Sequence, residues 1–192
     1  IVNVAFIVWQ VLAMATAQHY LSEINEKLES IYRELKEIKL KINNHRLGKL
    51  QGNLLYLQRC QQLMEKGNLS FNELKNYLSQ TESIFRESLQ IINSCKLDIS
   101  SYLLNNMTSS SDNTDLSKNE NLISESVEEY NFLQQTIYFA FYINAFCIFL
   151  QKTLGSSSAD TTAKIMQETW KDIKIEFKKN KEKISNGIEK LK

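Results

Sequence analysis

Proline is absent from this 192-residue chain, and glycine occurs only five times. Proline is the residue that stops a helix by force, and glycine supplies most left-handed helix ends, so long helices meet few obstacles here. Histidine occurs twice and cysteine three times, at Cys60, Cys95 and Cys147. An odd, widely spaced set without C-x-x-C predicts neither a disulfide framework nor a zinc site, and it fits a reducing, intracellular compartment. Glycine-rich phosphate loops and H-E-x-x-H are also missing. Charge is nearly balanced at +1, which removes any whole-chain case for nucleic acid as a partner. Catalysis needs converging nucleophiles, bases or metal ligands, and the chain offers none. Glu125, Glu128 and Glu129 cluster at helical spacing but lack the Glu-x-x-His of bundle metal sites. His19 and His45 read as helix-surface or helix-end residues. The expectation is a protein with no catalytic residues, no cofactor and no metal.

What the chain does contain is two long stretches without charge, residues 1–22 and 131–151. Each has about the length of a bilayer-crossing helix, roughly 20 residues. The first presents Phe6, Ile7, Trp9 and Leu12, and the second Ile137, Phe139, Phe141, Ile143, Phe146 and Phe149, as membrane or buried apolar contacts. Each also carries amides: Asn3 and Gln10 in the first, Gln134 and Asn144 in the second. For the second stretch, apolar insertion energies sum to on the order of −4 kcal/mol. An unpaired amide costs a few kcal/mol in hydrocarbon, so the balance lies near zero. Amides on the packing stripes of two apolar helices satisfy one another in water or in lipid, which predicts direct pairing of the two segments. Ala13, Ala15 and Ala17 imitate a secretory cleavage site, but the helical pattern runs straight through them, so a cleaved leader is not expected.

A strict 3-4 alternation follows: Leu21, Ile24, Leu28, Ile31, Leu35, Ile38 and Ile42. Glu23/Lys27, Glu29/Arg33 and Glu37/Lys41 flank it at i,i+4. Leu at a with Ile at d favours three- or four-helix packing over a parallel dimer. Extended backwards, the register passes through Ala17, Met14, Gln10, Ile7 and Asn3, so one helix is expected to run from the apolar segment, 1–20, into a coiled coil, 21–66. Gly48 and Gly52 predict a kink or break within it, after which Leu47, Leu50, Leu54 and Leu57 restart the pattern.

Gly67 predicts a helix end, and Ser70 with Glu73 forms a capping box that opens a helix over 71–105. Its apolar face, with Ile84 and Ile91 beside the central stripe, is too wide for one seam and expects at least two neighbours. A polar loop is expected over 106–118, then an apolar helix over 119–154 stopped by Gly155. Ser157 and Asp160 are cap candidates for a basic amphipathic helix over 160–191. In residues 171–192 eight lysines interleave with four acids, and arginine is missing. That reads as a solvated helix face rather than a nucleic-acid reader, although near a bilayer each lysine gains about 1 kcal/mol from anionic headgroups.

The predicted fold is therefore all-α: a single domain over 1–192, built as an elongated bundle of about four long helices with coiled-coil character. The leading functional expectation is an intracellular, membrane-associated, non-enzymatic protein that acts through helix assembly, with two conditionally inserting apolar helices. Its partners would be itself, as a homo-oligomer, or a helical protein, together with an anionic membrane surface. The alternative is a soluble coiled-coil adaptor or assembly subunit that buries both apolar helices. An apolar helix, a coiled-coil rod and a second very apolar helix also resemble, in layout, the α-helical pore-forming toxins. That resemblance implies an apolar helix kept covered until it meets a membrane.

Overall fold

The computed structural model describes residues 30–31, 44–66, 70–109 and 116–189. These residues are helical apart from short connections, and no strand occurs among them. We label the long helices α1 (Asn44–Glu65), α2 (Phe71–Ser109), α3 (Leu116–Thr153) and α4 (Ala159–Glu189). Together they pack as an all-α bundle in which α1, α2 and α4 each lie against α3.

Local chemistry sets the helix ends. Ser70 and Glu73 close the expected capping box: Ser70 N–H donates to Glu73 Oε2 at 2.8 Å, and Glu73 N–H donates back to Ser70 Oγ at 3.4 Å. Between α3 and α4 Gly155 takes φ +71°, the left-handed conformation that a side chain disfavours. Its N–H donates to Lys152 O at 3.0 Å, and Ser156 N–H donates to Gln151 O at 2.8 Å. This is a Schellman motif, and it lets α3 stop and α4 reverse direction within five residues. The residue at the start of α4 is Ser158, not Ser157 or Asp160; its carbonyl accepts from Thr162 N–H at 2.9 Å. α2 continues to Ser109 and α3 begins at Leu116, so both helices reach into the expected 106–118 loop.

Buried faces follow the 3-4 spacing. α1 contributes Leu50, Leu54, Leu57 and Cys60; α2 contributes Thr81, Phe85, Ser88, Ile92, Cys95 and Ile99. Ile84 and Ile91 are buried within the same chain. Phe71, the first residue of α2, is 79% exposed. Gly48 and Gly52 both sit inside α1, and neither breaks it. Of residues 1–43 only Ser30 and Ile31 are described. Both are helical, and Ile31 packs against the core. The other N-terminal residues singled out above lie outside the described residues: Asn3, Phe6, Ile7, Trp9, Gln10, Leu12, Leu21, Ile24, Leu28, Leu35 and Ile38.

Candidate functional site: the enclosed apolar helix

Ordinary amphipathic helices bury one stripe and expose the rest. α3 does not. Every residue from Phe139 to Gln151 is buried, on all faces of more than three turns. Ile137, Phe139, Phe141, Ile143 and Phe146 are each at most 1% exposed, and Phe149 is 4% exposed. The structure thus gathers all six apolar residues expected from the second stretch into one core. Among the described residues this helix, over Ser124–Thr153, is the one long and apolar enough to cross a membrane.

Aromatic side chains fix α4 against it. Phe141 meets the Trp170 ring edge-on at 5.0 Å, and Phe177 takes Tyr138 at 5.7 Å and Tyr130 at 6.3 Å, both edge-to-face. Such pairs add about 1 kcal/mol each beyond the area they bury. The surrounding helices are also tied to one another. Arg46 of α1 bonds to Asp98 and Ser94 of α2, while Lys49 Nζ and Asn53 Nδ2 donate to Glu87 at 2.7 and 3.0 Å. On the other side of the bundle, Lys96 and Ser100 of α2 reach Glu176 of α4 at 3.3 and 3.0 Å. Ser158 Oγ donates to Glu82 at 3.1 Å, and Lys152 pairs with Asp160 at 3.2 Å across the α3–α4 turn. The hydrogen bonds from Lys49 and then Asn53 hold the Glu87 carboxyl below its ordinary range.

The expected pairing of Gln134 and Asn144 with Asn3 and Gln10 involves residues outside the described ones. Gln134 Nε2 donates to Tyr138 OH at 2.9 Å, one turn along its own helix. Asn144 is fully buried, and among the described residues neither its amide oxygen nor its amide nitrogen has a partner. Gln151, seven residues on, is in the same condition. The sequence reading passed over Gln151, although its heptad spacing from Asn144 was the signal that places both on one stripe. Ser88 Oγ on α2 and Trp170 Nε1 on α4 are buried and unpartnered as well. Unpaired buried polar groups are uncommon and cost about 1–3 kcal/mol each, so the core is tightly enclosed without being fully satisfied.

Among the described residues no three His, Cys, Asp or Glu side chains gather as a metal site. The three cysteines are buried, and burial pushes the Cys95 thiol up to about 11 despite Arg46 nearby. A thiol in that state is a poor nucleophile at neutral pH. The class defined by the fold and its core is an all-α bundle organised around one enclosed apolar helix. No protein family, curated protein or solved structure shows a match to the chain.

Proposed function

We propose that this is a non-enzymatic, membrane-associated helical protein that acts through helix–helix assembly, with α3 as its core and residues 1–20 as its membrane contact. The observation that carries the reading is the burial of Phe139–Gln151 on every face. About ten apolar side chains there gain roughly 2 kcal/mol each on leaving water, on the order of 20 kcal/mol. Insertion of the same stretch into lipid has a balance near zero, and it would also strip α1, α2 and α4 of their apolar partner. In this reading α3 stays inside the bundle and the other uncharged stretch meets the bilayer. The coiled-coil spacing from Leu21 to Ile38 then links that contact to the bundle, an arrangement supported by Ile31 packing on the core. Free cysteines at three buried positions agree with an intracellular bundle.

A second reading is that α3 is released to insert on a cue, as the layout shared with pore-forming toxins implies. The unpaired amides of Asn144 and Gln151 favour it, because they lower the cost of opening the bundle. Fractionation of the full chain separates the readings. Wild type is expected in the membrane pellet and Ile7→Arg in the supernatant, with an unchanged helical spectrum. Retention of Ile7→Arg at the membrane would transfer the contact from residues 1–20 to the helical bundle, whereas soluble wild type without detergent would leave an assembly subunit that does not touch membranes.

A further inference from the structure

α4 interleaves lysines with acids in sequence, and four of the lysines share one flank of the helix. Its buried stripe includes Met166, Trp170, Ile173 and Asn180, with Phe177 half-buried on the same line. Lys171, Lys174, Lys178 and Lys181 each follow one member of that stripe directly, so all four project from one flank at i, i+3, i+7 and i+10. Asp172 and Glu176 each precede a member and lie on the opposite flank, where Glu176 meets Lys96 and Ser100 of α2. Glu176 is thus turned toward α2, and the four lysines of the opposite flank are turned away from it.

All four lysines are exposed, and none makes an ion pair with another described residue. They form a ridge about 15 Å long at the helical rise. Glu182 stands at its far end. Ile175, 56% exposed, sits among them, one residue from Lys174 and within a turn of Lys171 and Lys178. Unpaired like charges at this spacing repel one another, so the ridge weakens the isolated helix by a few tenths of a kcal/mol per pair and is relieved by a facing negative surface.

We propose that this flank of α4 docks on the anionic headgroups of a lipid bilayer, with Ile175 entering the headgroup layer. The proposal rests on the membrane-associated reading above and adds a lipid class and a binding surface to it. Charge complementarity names the partner's sign. The chemistry of the ridge favours lipid over nucleic acid: α4 contains no arginine for bidentate phosphate or base contacts, and its exposed large apolar residues, Ile165 and Ile175, are aliphatic rather than stacking aromatics.

Sedimentation of the full chain with phosphatidylcholine vesicles, and with phosphatidylcholine–phosphatidylserine vesicles, tests this. Wild type is expected to bind the anionic vesicles on the order of 100-fold more tightly at low salt, and to lose that preference as salt rises. The quadruple variant Lys171→Gln, Lys174→Gln, Lys178→Gln, Lys181→Gln should bind both vesicle types alike while keeping its helical spectrum. Lys179→Gln with Lys183→Gln, off the ridge, should retain most of the preference. Equal binding of wild type to both vesicles overturns the ridge but leaves the N-terminal contact standing. Binding to anionic vesicles alone supports the ridge and removes that contact. A quadruple variant that still prefers phosphatidylserine, or one whose only loss is in affinity for a short labelled RNA, overturns the lipid proposal.

Discussion

Asn144→Leu should stabilise this protein, an unusual direction for a substitution in the middle of a core. Asn144 is 0% exposed, and among the described residues neither its amide oxygen nor its amide nitrogen finds a partner. In water both groups are hydrogen-bonded, so folding forfeits those bonds at about 1–3 kcal/mol for the buried amide. Leucine has the same branched skeleton with methyls in place of the amide atoms, and burying them gains about another 1 kcal/mol. The larger methyls press on the neighbouring residues of α3 and its sheath, and overpacking of this kind costs about 1 kcal/mol or more. The net expectation is a gain of about 2 kcal/mol, or a rise of roughly 4–8 °C in the melting midpoint for a chain of this size. Urea unfolding followed by far-ultraviolet circular dichroism reads it as a shifted midpoint at constant slope. A loss of 1 kcal/mol or more would refute the reasoning, since it would mean that the Asn144 amide holds a bond in the native protein. Gln151→Leu provides an independent repeat at the neighbouring heptad position.

A charge in the same core should act in the opposite sense: Phe139→Arg or Ile143→Arg is expected to cost several kcal/mol and prevent assembly, while exposed Lys179→Ala stays within about 0.5 kcal/mol of wild type, all read from thermal melts. Normal folding of either arginine variant would place that face of α3 at the surface. Gly48→Ala and Gly52→Ala should each stabilise by about 1 kcal/mol, because both glycines are helical and a Cβ at either position meets nothing within 4 Å. Destabilisation in the same urea assay would show that a close neighbour occupies the space. Glu87 is held below its ordinary carboxylate range by Lys49 and Asn53, so its stabilising contribution is complete above about pH 4.3 and is lost as pH falls through its lower folded value. Glu87→Gln should therefore lower stability at neutral pH and flatten the acid limb of a stability–pH profile; an unchanged limb would mean that the Lys49 contact is not maintained in solution.

Much of the bundle was legible in the residues because a helix writes its own periodicity and ends into its sequence. Ser70 and Glu73 announced a start, Gly155 announced a stop, and the stripe from Thr81 to Ile99 marked one buried face without any knowledge of what would cover it. These features depend on neighbours within about four residues, a range that sequence spacing reports directly. The stretch around Phe139–Leu150 announced only that water was the wrong solvent for it. Protein core and bilayer make the same demand on side chains, and its hydropathy could not tell them apart. The tertiary structure adds what surrounds the stretch: three helices lie against α3 and are bonded to one another through Arg46, Glu87 and Glu176. It likewise set Lys171, Lys174, Lys178 and Lys181 on one flank of α4 and turned Glu176 toward α2, once Trp170 and Ile173 fix which side faces inward. The reason is the same in both cases: sequence spacing fixes what shares a helix face, whereas the solvent or partner that a face meets is set by residues far away in the chain.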